Sequence, residues 1–444
     1  MKVLLIQAFT KNAKPVFPVG LARVAAAIQG KYQLAVFDPN IETRVKDILT
    51  ERLEGFNPDV IGISLRNIDS IDYVARQYFY PDFTKLLKCI KMIKPNRKII
   101  VGGSGFSLFA SEIMQANPEI DIGVFLEGEE SFPELLDEID APLRVKGLLV
   151  RRKNEIQFTG RRNLIDFSNS PDPAYKCFDM ARYISKGGSI GIEGKRGCVL
   201  KCSYCPYPFL TGKHVRIRTA KAIVDEMEFL VSNYGARNFE FVDSVFNIPA
   251  EHAQDVCREI LARGLEVRWS CWSNVKTFDE KYARLTMDAG CQVFFLFTDG
   301  FSDNSLNALG KNYTQKDILN TVETAKKVDN LRVCYGFFLN PPGITIKEIF
   351  QMISFLLRTK LAIGKKMRLG RVFLFNQIRI EPYTQMRERA IKEGIIKSDT
   401  SLLRPVYYTH PSARYIRLIY NILTWPLGWL IRFRRFLRFG FRKL

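Results

Sequence analysis

Residues 193–208 read EGKRGCVLKCSYCPYP, which sets Cys198, Cys202 and Cys205 at C-x3-C-x2-C spacing among glycine, lysine and arginine. A structural zinc site takes four protein ligands, usually from two well separated C-x2-C pairs. Only one such pair is present, and Cys177 and His214, the conceivable fourth ligands, lie outside the tight spacing. Nor do three cysteines flanked by lysine and glycine have the pattern of apolar packing. Three thiolates on a four-iron cluster leave one iron open to a small molecule, which is a catalytic arrangement.

The rest of the chain sets the frame for that loop. A length of 444 residues corresponds to two or three domains, at roughly 100–200 residues each. Hydrophobic residues make up 47% and charged residues 25%, which excludes a disordered chain. The apolar run VLLIQAF at the N-terminus is too short for a signal sequence and reads as a buried strand. Nine cysteines, an odd number scattered along a chain with no export signal, fit a reducing compartment, where clustered cysteines act as ligands. A net charge of +20 points to acidic partners such as phosphate, nucleic acid or an anionic membrane.

Over residues 1–140 short apolar runs (KVLLIQAF, LAVFD, VIGISL, KIIVGGSG, DIGVFLEG) alternate with helical patterns, which predicts an α/β domain with a parallel sheet covered on both faces. Ligands of such sheets bind beyond the carboxyl ends of the strands. Here those ends carry Asp38 and Asn40, Ser64 to Arg66, Gly102 to Gly105, and Glu127 to Glu129. Residues 141–187 read as a linker with a small strand pair, LRVKGLLVRRKNEIQFTG, and a Pro-rich crossing. Over residues 188–385 six strand candidates recur with intervening helices: SIGIEG, NFEFVD, EVRWSCW, CQVFFLF, LRVCYGFFL and RVFLFNQIRI. They predict a partial (β/α)6 TIM-type barrel open on one side, with the cysteine loop directly after its first strand, where barrel chemistry sits. Residues 386–444 read as a C-terminal helical region.

At this point CVLKCSYC resembles the radical S-adenosylmethionine (SAM) enzymes, whose C-x3-C-x-Φ-C loop binds a 4Fe-4S cluster. The resemblance implies that Cys198, Cys202 and Cys205 ligate three irons, that SAM chelates the fourth through its amino and carboxylate groups, and that Tyr204 lies against adenine. It extends to HVRIRTAKAIVDEM, to FVDSVFNIP with Ser244 in place of an acid, to WSCWSNVKTFDEKYARLTMDAGC, and to FLFTDGFSDNSLNALGKNYT with Asp299 where glutamate is more usual. A SAM pocket needs oriented polar groups at strand ends, and Asp243, Ser270, Asn274, Thr298 and Asp299 are the candidates.

The N-terminal block, in turn, resembles the cobalamin-binding domain that precedes such barrels, a flavodoxin-like fold: VFPVGLARVAAAI, GISL, VGGSGFS and LEGEESFPELL match its opening, turn, glycine loop and ending. Ser64, Leu65, Gly102, Gly103, Ser104, Glu127 and Gly128 are then the expected cobalamin contacts. The D-x-H-x-x-G motif that gives cobalt a histidine in many B12 proteins is absent, and His214, His252 and His410 all lie outside this block. Cobalamin is expected without a protein histidine ligand. The two resemblances span about Lys2 to Thr384.

Together they imply a 5′-deoxyadenosyl radical that abstracts hydrogen from an unactivated carbon, which then takes a methyl group from methylcobalamin; cyclisation and oxidation share the first step. A one-electron reductant such as flavodoxin or ferredoxin is implied. A tRNA methylthiotransferase would need a second N-terminal set of three cysteines, and only Cys89 lies in the first 150 residues. A non-catalytic cobalamin or cluster sensor is a further reading. After Pro411 the chain carries eight Arg or Lys and no acid, interleaved with Trp425, Trp429, Phe433, Phe436, Phe439 and Phe441. The uncharged run Leu418–Ile431 is 14 residues, short of the ~20 needed to span, and Pro426 is expected to interrupt it. The tail therefore reads as an interfacial helix on an anionic membrane, with a helix docked on the barrel or a nucleic-acid tail as other readings. A lipid-type substrate and a cytoplasmic protein held on the inner face of the membrane follow from the interfacial reading.

Overall fold

The computed structural model describes residues 1–10, 15–70, 73, 74, 76–153, 155–168, 170–368, 375–410 and 414–439. Its N-terminal sheet contains β1 (Lys2–Gln7), β2 (Gln33–Phe37), β3 (Val60–Ser64), β4 (Lys98–Gly102), β5 (Ile122–Val124), β6 (Leu148–Arg152) and β7 (Glu155–Phe158) in the spatial order β2-β1-β3-β4-β5-β6-β7. The first five are parallel, so β1 is sandwiched between neighbours and between helices, and Val3, Leu4, Leu5 and Ile6 are all buried. That explains an unbroken apolar run rather than an alternating one. The order reverses between β1 and β3, as in flavodoxin-like folds, and opens a crevice at their carboxyl ends.

Residues of the expected linker belong to this sheet, because β6 pairs antiparallel with β5 through Ile122–Val150 and Val124–Leu148, and β7 pairs with β6. Buried Leu148, Leu149 and Val150 made the pair too apolar to stand alone. The Pro-rich crossing then packs on the helix Val19–Ile28: the Ala174 N–H donates to the Ala22 carbonyl at 2.9 Å, and Phe17 lies 5.1–5.3 Å from the rings of Tyr175, Phe178 and Tyr183.

The second sheet follows β8 (Ile190–Ile192). Two short strands, β9 (Lys195–Arg196) and β10 (Arg216–Ile217), pair only with each other, and then come β11 (Asn238–Phe241), β12 (Arg268–Trp272), β13 (Cys291–Asp299), β14 (Val333–Phe338) and β15 (Phe375–Asn376). Six parallel strands run in the order β8-β11-β12-β13-β14-β15, with β8 and β15 at the two edges. The expected six parallel strands are present in sequential order as an open sheet. The first part of the sixth strand candidate, residues 371–374, lies outside the described residues, as do Asn154 and Asn169 of the linker.

One apolar core runs through both halves, joining Val3, Leu5 and Ile100 to Ile190, Phe239 and Trp269. The opposite face of the N-terminal sheet is covered partly by residues from far down the chain, since Ile378, Ile380, Met386, Leu402 and Tyr408 share its core with Ile63 and Val101. The region after residue 385 is therefore not uniformly helical: a short helix, Gln385–Lys392, and an irregular stretch cover the first domain before the C-terminal helix Arg414–Phe439 begins.

That last helix continues through Pro426, contrary to the expected break. Proline removes the N–H that would bond the carbonyl of Ile422, and both residues lie on an exposed face where the freed carbonyl can be solvated. Its inner face is docked. Ile416 packs on the core, the Tyr420 hydroxyl donates to the Phe375 carbonyl at 2.7 Å, and a Cβ on Gly428 would stand 2.6 Å from the Val74 carbonyl oxygen.

Candidate active site

The cysteine loop is built from its ends inward. After β8 the chain forms a clip in which Arg196 pairs with Arg216 and Lys195 with Ile217. Gly197, at φ +92°, makes the turn into the loop, and a Cβ there would lie 2.0 Å from the His214 carbonyl oxygen. Only glycine fits that approach. Cys198 N–H donates to the Gly212 carbonyl at 3.1 Å and Ser203 N–H to the Leu309 carbonyl at 2.9 Å, while the Ser203 carbonyl accepts from Met386 N–H at 2.8 Å. Gly310, at φ +71°, lets the fourth-strand signature pack against Lys201, whose carbonyl oxygen a Cβ would approach to 2.3 Å. Three distant segments thus hold one loop.

Cys198, Cys202 and Cys205 are free thiols and only partly buried as residues. Burial pushes the Cys202 and Cys205 thiols up, Cys205 to about 12, so thiolates there at neutral pH need a strong Lewis acid such as iron. Among the described residues no three His, Cys, Asp or Glu groups converge to hold a single metal ion.

Tyr204 is fixed beside these thiols. Its hydroxyl donates to Asp299 Oδ2 at 2.5 Å, Lys311 Nζ donates to that hydroxyl at 2.9 Å and is ion-paired to Asp299, and Phe338 packs edge-on at 5.0 Å. Lys311 ends the L-x-x-L-x-K stretch that the sequence displays, yet nothing local assigned it a role. One partner, Tyr204, lies 107 residues upstream, and the other, Asp299, is held in a left-handed conformation, φ +64°.

A cavity of about 760 Å³ separates the two domains. Ser64, Gly102, Gly103, Ser104, Glu127 and Gly128 line it from the strand ends of the N-terminal domain; Tyr204 and Cys205 line it from the cysteine loop, with Trp272 and Phe338 beyond them. Gln7 at the end of β1 and Ser64 at the end of β3 put the crevice of the reversed strand order inside the same space. Size, position and glycine-rich wall fit a corrin. His214, His252 and His410 do not line it, and His252 instead pairs through Nε2 with the Arg218 carbonyl at 2.8 Å.

Several expected contacts have structural partners in place of the cavity. Leu65 lies behind Gly103: at φ +100°, a Cβ on that glycine would be 2.7 Å from the Leu65 carbonyl oxygen. Gly103 is thus required by the turn itself. Asp243 accepts from the N–H groups of Gly194 and Lys195 at 2.7 and 3.1 Å, and burial raises its pKa. It anchors the clip, as Ser244 does by donating to the Gly197 carbonyl at 3.0 Å. Asn274 caps a turn by accepting from Lys276 N–H at 2.9 Å, and Thr298 donates to the Gly336 carbonyl at 3.1 Å. Ser270 lies partly buried, in register with Glu240 and Val293 on neighbouring strands.

Glu127, although at the cavity, belongs to a buried ion network that joins the domains. It accepts from Arg216 at 2.7 and 3.0 Å, from Arg196 at 3.3 Å and from Ile165 N–H at 2.9 Å. Arg196 also pairs with Glu129 at 2.6 Å and Glu193 at 2.8 Å, and Arg23 with Glu193 at 2.9 Å. Burial alone would raise the Glu193 carboxyl, but Arg196 and Arg23 outweigh it and hold the group below its usual value.

Comparison with known proteins agrees with this division. The B12 binding domain model matches residues 9–136 and the radical SAM superfamily model residues 192–356. An uncharacterised methyltransferase of Pyrococcus horikoshii is 28% identical over 366 residues, covering 80% of this chain and 77% of the relative. An anaerobic magnesium-protoporphyrin IX monomethyl ester cyclase of Cereibacter sphaeroides is 26% identical over 294 residues, covering 63% of this chain but 46% of the relative. The fold is shared with the radical S-adenosylmethionine methyltransferase TsrM of Kitasatospora setae at a TM-score of 0.75 and 22% identity, over 88% of this chain and 76% of that one. With a B12-binding domain and a radical SAM domain meeting at one cavity, the chain belongs to the radical SAM enzymes that carry a cobalamin-binding domain, whose cofactors are a 4Fe-4S cluster, SAM and cobalamin.

Proposed function

We propose that this enzyme methylates an unactivated carbon of a hydrophobic, lipid-type substrate while resting on an anionic membrane surface. The carrying observation is the shared cavity: the cysteine loop forms one wall, the glycine-rich strand ends form the other, and no intervening layer separates them. When bound, the cofactors supply one-electron cleavage of SAM and a transferable methyl group. The chain's own residues position and shield. Cys198, Cys202 and Cys205 would hold the cluster, and Tyr204, braced by Asp299, Lys311 and Phe338, would offer its ring to adenine. The loops Arg66–Asn67 and Gly102–Ser107 would form the corrin's seat; Ser104 Oγ donates to the Arg66 carbonyl at 2.8 Å and Ser107 Oγ to the Gly103 carbonyl at 3.0 Å to keep it rigid.

Trp272 and Phe338 give the space between an apolar lining, alongside Leu108 and Phe109. Such a lining excludes water from a reactive centre and favours a substrate with little polar surface. The C-terminal helix supports delivery from a membrane. Its inner face is docked, whereas Tyr415, Leu418, Ile419, Ile422, Trp425, Trp429 and Phe433 on the opposite face are 44–75% exposed. No helix among the described residues is long and apolar enough to cross a membrane, so contact would be in the plane of the surface.

The test is anaerobic turnover of the reconstituted holoenzyme with methyl-labelled SAM, a reductant and a total lipid extract. Label should enter the lipid fraction only when cobalamin is present, together with 5′-deoxyadenosine. Label transfer independent of cobalamin, or 5′-deoxyadenosine with every lipid unlabelled, would contradict the reading; a sensor would form neither product.

A further inference from the structure

The helix Ile346–Ile363 covers the outer side of β14, where Met352, Phe355 and Leu356 enter the main core. Its other side carries Ile346, Phe350, Ile353, Leu357 and Leu361, spaced four, three, four and four residues apart and 40–87% exposed. That spacing makes one continuous apolar stripe, of a kind that ordinarily faces a core or a partner. The exposed charge of the helix itself is one-sided. Glu348, the helix's only carboxylate, is buried and accepts from Ser302 Oγ at 2.7 Å and from Ser302 N–H at 3.0 Å. Lys347 and Arg358 are exposed beside the stripe, and Lys365 follows the helix's end.

The C-terminal helix, with its own exposed stripe, is anchored to the same edge of the second sheet. Phe355 packs on Phe337 at 5.9 Å, Phe337 on Phe375 at 6.3 Å, and the Phe375 carbonyl accepts the hydroxyl of Tyr420. Two helices that flank β14 and β15 each present exposed apolar residues together with basic residues and no exposed carboxylate of their own.

We propose that the stripe on Ile346–Ile363 is a second membrane-docking element, which together with the C-terminal helix seats the β14–β15 edge of the barrel on an anionic bilayer. This rests on the membrane-surface reading of the C-terminal helix and adds to it. One helix would only tether the molecule, whereas two helices on one edge set its orientation. An anionic bilayer suits the surface better than a second copy of the chain, because copies carrying +20 each would oppose like charge to like charge around the apolar stripe.

The experiment is co-flotation of the full chain with vesicles of phosphatidylcholine alone or with about one third phosphatidylglycerol, run beside light scattering without lipid. The variants are Phe350→Glu with Leu361→Glu, the milder pair Phe350→Ala with Leu361→Ala, and a truncation after Pro411; thermal melts establish that each folds. Wild-type protein should float only with anionic vesicles. The glutamate pair should lose tenfold or more in apparent affinity, the alanine pair less, and the truncation should retain weak binding that the glutamate pair then abolishes. Wild-type affinity in the folded glutamate pair, with loss on truncation, would overturn this proposal and leave the C-terminal reading standing. No flotation of the wild-type chain would overturn both. A wild-type dimer that the glutamate pair splits, with lipid binding unchanged, would assign the stripe to a second copy.

Discussion

Cys198, Cys202 and Cys205 stand apart from the other cysteines because their loop is held by backbone bonds from Gly212, Leu309 and Met386. Replacing any one of the three by Ala should remove most iron from anaerobically reconstituted protein, measured by iron and sulfide content. The same change at Cys257, Cys271 or Cys334, which are buried packing positions, should leave iron unchanged. Gly197→Ala should behave like a ligand mutant without removing a ligand, since it forces a side chain into the His214 carbonyl. Gly103→Ala is expected to lower the melting temperature of the cofactor-free protein by the few degrees that about 1–3 kcal/mol of backbone strain implies. At Gly102, where a Cβ would meet Val124 at 3.4 Å, alanine should be tolerated by the fold. Local sequence displayed the ligand spacing because all three cysteines lie within residues 198–205. It could not display that Glu127 is consumed by Arg216 and Arg196, because those partners enter from another domain.

At the scale of elements, the clip of β9 and β10 carries the largest electrostatic load. Arg196 is buried among Glu127, Glu129 and Glu193, and its loss would leave Glu129 without its arginine and Glu127 and Glu193 with one arginine each, so Arg196→Ala should cost about 3–5 kcal/mol. Urea unfolding of the apo-protein would measure it, and a loss under 1 kcal/mol would mean that the network is solvated. A second element, the stretch after β15, brings Glu381 to the cavity wall beside Arg379 and Asp69. Burial pushes the Glu381 carboxyl up to about 7 against the pull of Arg379. A carboxyl whose folded pKa is raised favours the folded state below its unfolded value near 4.5 and loses that contribution as pH climbs toward 7. Glu381→Gln should therefore flatten the decline of stability over that window; an unchanged profile would show that the group ionises freely. Strand periodicity made every barrel strand with described residues legible in the sequence. The fusion of β6 and β7 to the first sheet, and the helix that continues through Pro426, depended on what those residues pack against.

Across the whole molecule the chain folds back on itself: Ile378, Met386 and Tyr408 close over the first domain, and one core joins the two sheets. The order of domains could be read from motifs alone, but the closing segment has no motif and is recognisable only by its burial. That closure gives the two strand-end surfaces one cavity in place of two, and the account depends on it. The most direct measurement is electron paramagnetic resonance of the holoenzyme holding both cob(II)alamin and the reduced cluster. Two centres on facing walls of one cavity should broaden or split each other's signals, and Cys205→Ala should restore the isolated cob(II)alamin spectrum. A spectrum equal to the sum of the two centres recorded separately would contradict the shared cavity.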